Sequence, residues 1–135
     1  MDELYVIVHQ ECIEADRKLL VSLGLASDPY DRVLSELARL RAEKETISLP
    51  ITQDPSLIPY DLPSSPRHFF LAGAYEELCV ATHQFALSEI GIYAEMYRPG
   101  VASLSLFVST LQVPPIASSP TARRILSSLQ ALFQR

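Results

Sequence analysis

The stretch HFFLAGAYEELCVATHQFALSEIGIYAEMY, residues 68–97, decides how this chain folds. Phe69-Phe70-Leu71-Ala72 is an aromatic and aliphatic run of strand length, and Gly73-Ala74 permits a tight exit from it. Tyr75 to Ile90 then reads as a helix, apolar around most of its circumference through Leu78, Val80, Ala81, Phe85, Ala86, Leu87 and Ile90. Glu77, Gln84 and Ser88 mark a narrow exposed stripe, and the rest predicts burial in the interior or against a second subunit. Gly91 supplies a C-terminal stop, and Ile92 to Met96 resumes as a strand. A helix of that length returns the chain so that the second strand lies parallel to the first, which makes a βαβ unit.

The same alternation extends toward the N-terminus. Leu4 to Val8 (LYVIV) has apolar side chains on both faces, the pattern of a strand covered from both sides. It ends abruptly at His9-Gln10-Glu11-Cys12, after which Ile13 to Leu23 reads as a short helix or turn stopped by Gly24. Asp28-Pro29 starts a stronger one, because an acceptor at the cap is followed by a proline at the first helical position. Tyr30, Val33, Leu34, Leu37, Ala38 and Leu40 recur on one face to about Lys44, and Thr46 to Leu49 forms a second strand before Pro50.

Residues 50–66 contain Pro50, Pro55, Pro59, Pro63 and Pro66, which excludes a long helix or a central strand. Leu57, Ile58, Tyr60 and Leu62 can anchor this connection, and it is the best place for a lid or partner-binding loop. Val101 to Val113 fits either a helix packed by Leu104, Phe107, Val108 and Leu111 or a β element. Ser119-Pro120 starts a last helix with Ile125, Leu126, Leu129, Leu132 and Phe133 on its apolar side. The expectation is one α/β domain over residues 1–135, a three-layer sandwich around a small, mostly parallel sheet.

Composition bounds the function. The 135 residues are 48% apolar, enough for one core and too few for two. All 16 acidic groups lie within residues 1–100, whereas the rest of the chain carries only Arg123, Arg124 and Arg135. A net charge of -5 with no clustered basic track argues against nucleic acid. Two cysteines outside any CxxC pair, no signal-peptide pattern and no long apolar stretch predict a reduced, cytoplasmic, non-membrane protein. No cofactor is expected, and a nucleoside, nucleotide or phosphate ligand stays open without a glycine-rich phosphate motif to support it.

In a parallel sheet, ligands collect beyond the carboxyl ends of the strands. That rule gathers His9, Gln10, Glu11 and Cys12 with Tyr75, Glu76, Glu77 and Cys79. Cys79 is the candidate nucleophile, since a helix N-terminus can lower a thiol pKa and hold an oxyanion; inert packing on an apolar helix is the competing explanation. His9 and Glu11 are candidates to move its proton, and Gln10, Cys12, Tyr75 and Glu76 to touch a ligand. His9, Cys12, Cys79 and His83 are enough for zinc in number, but their spacing matches no metal motif, and no metal site is expected. His68 is expected at the opposite end of the sheet from His9. Arg123 and Arg124 fall in the first turn of the last helix, where an anion or an acidic subunit surface would offset the dipole; plain solvation is the leading explanation.

Leu4-Tyr5-Val6-Ile7-Val8-His9-Gln10 and Leu71-Ala72-Gly73-Ala74 through Cys79-Val80-Ala81-Thr82, with Ala86 and Gly91, resemble the opening strand and nucleophile segment of the isochorismatase-like cysteine hydrolases. The resemblance implies an α/β/α sandwich whose active members cleave amide or vinyl-ether bonds with an Asp, a Lys and a Cys. By its distance from Gly73, Cys79 takes the nucleophile position, whereas Thr82 and Ala86 place Leu78 there. Val8 stands where the acid belongs, Glu11 is a substitute outside the motif, and Lys18 and Lys44 do not fall at the lysine position. Two functions follow as expectations. One is a small homo-oligomeric binding or assembly protein without hydrolase activity. The other is a cysteine hydrolase in which the Cys79 thiolate attacks a small amide-like substrate and water releases the acyl product.

Overall fold

The structure, a computed structural model, describes residues 2–52, 57, 58, 60, 67–112, 123, 124 and 127. The elements run β1 (Asp2–Val8), α1 (Gln10–Ser22), α2 (Asp28–Glu43), β2 (Thr46–Leu49), β3 (Arg67–Ala74), α3 (Cys79–Glu89), β4 (Ala94–Ala102) and α4 (Leu104–Leu111). The strands form one parallel sheet in the order β2-β1-β3-β4. From β1 the chain moves outward to β2, and from β3 it moves outward in the opposite direction to β4. Right-handed crossovers therefore place α1 and α2 on one face and α3 on the other, and the expected three-layer α/β sandwich results.

The core explains the layers. Leu4 through Val8 are all buried, and successive side chains point to opposite faces. Leu4, Val6 and Val8 join Leu49, Phe69 and Leu71 against Val80 and Leu87 of α3. Tyr5 points to the other face, where it stacks on Phe70 at 4.8 Å and meets Tyr97 edge-on at 5.5 Å. Each fully buried Leu contributes about 1.5–3 kcal/mol, so this central strand holds both layers together. In α2, Pro29 sits in the first turn, Asp28 and Asp31 lie at the positive end of the dipole, and Tyr30, Leu37 and Leu40 are buried.

Several element boundaries differ from the sequence reading, among them the start of α1, at Gln10 rather than Ile13. The helix expected from Tyr75 begins at Cys79, because residues 75–78 form a turn in which Leu78 and Val80 both donate to the Tyr75 carbonyl at 3.1 Å; the Ala74–Tyr75 peptide bond is cis. The last strand runs past its expected end at Met96, through Pro99-Gly100 to Ala102. Its register jumps from Leu71↔Met96 to Gly73↔Val101, and the intervening bulge on this edge strand accommodates a proline that pairing would not. Of the ambiguous 101–113 stretch, the described residues 101–112 resolve into the end of β4 and α4, whose Ser103 cap accepts from the Leu106 N–H at 3.3 Å.

The chain divides into two compact units, residues 1–102, which hold the sheet and α1–α3, and residues 103–135, which begin with α4. Of the proline-rich connection, Ile58 and Tyr60 pack against the α3-side core. Pro55, Pro59, Leu62, Pro63 and Pro66 lie outside the described residues, as does the last helix apart from residues 123, 124 and 127, which are helical. No helix among the described residues is long and apolar enough to cross a membrane.

Candidate functional site at the carboxyl edge

The last pair of the β1–β3 ladder is Val8 with Gly73, so His9 and the turn after Ala74 emerge side by side. Gly73 has φ +105, and a Cβ there would stand 1.9 Å from the Val8 carbonyl oxygen. Only glycine permits this approach. Between β1 and β3 the chain also changes direction across the sheet, the place where open α/β sheets leave a crevice.

His9 joins β1 to α1 in the left-handed region (φ 51, ψ 47). It is buried, its N–H donates to the Leu49 carbonyl at 2.8 Å, and its carbonyl accepts from Cys12 N–H at 3.0 Å. These contacts make it the pivot that sets the direction of α1. At about 100° per residue, Gln10 and Glu14 share one side of α1, and Cys12 and Asp16 share the opposite side.

The sequence-derived group therefore divides. Gln10 donates to Glu14 at 3.1 Å and accepts from Arg41 at 2.7 Å, and Arg41 also donates to Ser48. Gln10 and Glu11 line a cleft of about 280 Å³ with Glu14, Arg41, Ser48 and Pro50, beside β2 rather than β3. Cys12 and Asp16 turn toward β3. Tyr75 donates its hydroxyl to Asp16 Oδ2 at 2.6 Å, the only hydrogen bond that the Asp16 side chain makes among the described residues.

The electrostatics of this edge have one sign. Burial pushes the Asp16 carboxyl up to about 6, against the lowering effect of the Tyr75 bond. Burial, with Asp16, Glu11 and Cys79 adding to it, pushes the Cys12 thiol up to about 11. The Tyr75 hydroxyl is raised by burial and by Asp16, with Cys12 and Tyr30 contributing. Tyr30, buried in α2, is raised by burial, Asp16 and Glu77. Among the described residues, no basic group acts on Asp16, Cys12 or Tyr75.

Cys79 is the first residue of α3, half-buried against the α3-side core, so it and not Leu78 opens the helix. Burial raises its thiol pKa, and no charged neighbour counters that effect. Glu76 is committed elsewhere, since its N–H donates to Ala102 at 3.0 Å and its carboxylate pairs with Arg98. Val8, at the position of the family's acid, is fully buried. Lys18 is exposed on α1, and Lys44 pairs with Glu3 at 3.5 Å at the opposite end of the sheet. His68 is at that end too, 3.2 Å from Glu95. His83 is buried in α3 with its Nε2 3.0 Å from the Tyr60 hydroxyl. Among the described residues, no three His, Cys, Asp or Glu side chains gather as a metal site.

Sequence reasoning missed Asp16 and the part played by Tyr30. The signal for Asp16 was present: it lies three residues after Ile13 and four before Leu20, on the buried stripe of α1 and one turn beyond Cys12. Compared with known proteins, the chain matches no family model, no curated protein and no solved structure.

Proposed function

We propose that this protein binds a small molecule at the carboxyl edge of β1 and β3 without hydrolysing it, and that it works as a homo-oligomer. The observation that carries the binding reading is the Asp16–Tyr75 pair, a buried carboxylate held by one hydroxyl at the point where the sheet changes direction. Buried polar groups are ordinarily well supplied with hydrogen bonds, and a carboxylate has about four acceptor sites. A ligand supplies what the described residues leave open.

Hydrolysis by Cys79 is the weaker reading. A thiol nucleophile acts as thiolate, whereas burial raises the pKa of Cys79 and nothing charged brings it down. The residues that the resemblance would enlist for proton transfer, an acid at position 8 and a lysine, are absent from this edge.

Assembly has its own support. On its outward side α3 exposes Phe85, at 64%, with Ile90 and Leu57 beside it, around a groove that includes Thr82, Ala86 and Glu89. Glu89 is the one charged residue in the eleven of α3. Two copies of a chain with net charge -5 repel each other wherever carboxylates face one another, so a nearly uncharged apolar face is where a second copy docks at least cost.

The binding reading is tested by mapping backbone amide NMR shifts of the full chain against a library of neutral, cationic and anionic small molecules. The shifts are expected to cluster on Cys12, Asp16, Tyr30, Tyr75 and Cys79. Shifts scattered over the surface, or confined to the Gln10–Arg41 cleft, would contradict it.

A further inference from the structure

We propose that Cys12 and Cys79 form a reversible disulfide across the carboxyl edge, a redox-modified pair oxidised by a low-molecular-weight disulfide such as oxidised glutathione. The bond needs no ligand at this edge and is independent of the binding reading above.

Placement brings the two thiols together. The chain has two cysteines, and the fold carries each to the end of one of two neighbouring strands. The β1–β3 ladder closes at Val8↔Gly73, and adjacent strands run about 4.8 Å apart. The Cys12 N–H donates to the His9 carbonyl at 3.0 Å and the Val80 N–H to the Tyr75 carbonyl at 3.1 Å, so each cysteine lies one turn past the end of its strand. Cys12 also shares its side of α1 with Asp16, whose carboxylate accepts from the Tyr75 hydroxyl at 2.6 Å. That bond ties the Cys12 side of α1 to the turn that leads into Cys79. Cys79 is near enough for its charge to add to the pKa rise of Cys12. Both thiols are free and half-buried, within reach of a small reagent.

The two helices belong to opposite layers, α1 on one face of the sheet and α3 on the other. A Cys12–Cys79 bond fastens one layer to the other over the end of the sheet, and reduction releases them. In a reduced setting such a link is transient and reports oxidation rather than serving as a permanent staple.

Exchange takes two steps. The Cys79 thiolate attacks one sulfur of oxidised glutathione, the S–S bond breaks, and one glutathione leaves as thiolate and takes up a proton. The Cys12 thiolate then attacks the Cys79 sulfur of the mixed disulfide and expels the second glutathione. Two protein thiols are oxidised, and one glutathione disulfide is reduced to two thiols. Cys79 goes first because Asp16 and Glu11 add to burial at Cys12 and make its thiolate the scarcer one. Burial raises both thiols, so the exchange is slow at neutral pH and quickens as pH rises.

The test is equilibration of the full chain in glutathione redox buffers, under native conditions and in urea, followed by acid quenching and mass mapping of unreduced peptides. The native chain is expected to form an intramolecular Cys12–Cys79 bond that dithiothreitol reverses. Its equilibrium constant is expected to exceed the value in urea at least about tenfold, as a cross-link that stabilises the fold requires. Cysteines whose Cα atoms stand more than about 7 Å apart cannot join without backbone movement, so a smaller ratio would overturn the proposal. Oxidation that ends in two separate glutathione adducts, or in links between chains, would overturn it as well. Cys12→Ser and Cys79→Ser are each expected to stop at a single glutathione adduct on the remaining cysteine. The comparison of native chain with urea needs only the unaltered protein, so it stands even if a variant folds poorly.

Discussion

Asp16 occupies a position where the period of α1 calls for a hydrophobic side chain, and that placement has a measurable cost. Its folded-state pKa of about 6 lies above the ordinary 3.8, so the folded protein holds its proton more tightly than the unfolded chain does. The associated stability is fully present below the unfolded value and is lost as pH rises through the folded one. Above about pH 6 the ionised carboxylate costs the fold between about 1 and 3 kcal/mol, by the conversion of about 1.4 kcal/mol per pKa unit with allowance for incomplete burial. Asp16→Asn keeps an acceptor for Tyr75 and removes the charge. Its stability relative to the parent, from urea unfolding at a series of pH values, is expected to rise between about pH 4 and 6 and then stay level, with the variant ahead at neutral pH. A variant less stable than its parent at neutral pH would mean that Asp16 is a structural anchor rather than an uncompensated charge. At this scale Cys12 and Tyr75 were legible as edge residues from the strand rule alone. The division of Gln10 and Glu11 from Cys12 was not, because it depends on how His9 rotates α1 as it leaves β1.

Among the elements, α3 shows both what a pattern reveals and what it hides. Its apolar circumference was evident in the sequence, and the structure uses one side for Val80, His83 and Leu87 and leaves Phe85 in solvent. Its start was not legible, because Leu78 continues the apolar pattern through what is in fact a turn. The end of β4 was hidden for the converse reason: Pro99-Gly100 carries a stop signal that a bulge on an edge strand overrides. By contrast, β2 and α2 fall within a residue of their expected bounds, since Asp28-Pro29 and Pro50 punctuate the chain by local chemistry alone. If the outward side of α3 meets a second copy, the parent chain sediments as a dimer or larger species. Phe85→Glu, which places a carboxylate on that face beside Glu89, is expected to yield a monomer with an unchanged circular dichroism spectrum. A monomeric parent would remove the assembly half of the proposed function.

For the molecule as a whole, the alternation of apolar runs with amphipathic segments was sufficient to give the layers, because a strand that is apolar on both faces must be covered on both. The order β2-β1-β3-β4 then fixes where the crevice lies, and the crevice brings Cys12, Asp16, Tyr30 and Tyr75 into one electrostatic neighbourhood while leaving Cys79 without a charged helper. The resemblance to cysteine hydrolases implied the same layered fold, and the thiol chemistry it implied is the alternative to the binding proposed for this edge. Binding and hydrolysis are separated most directly by the rate of Cys79 alkylation by iodoacetamide as a function of pH, measured on folded Cys12→Ser protein. Binding without hydrolysis requires slow labelling at neutral pH, with an inflection above the free-thiol value of about 8.5. Rapid labelling with an inflection well below that value would mean that the edge is built around a thiolate, and would contradict binding without hydrolysis.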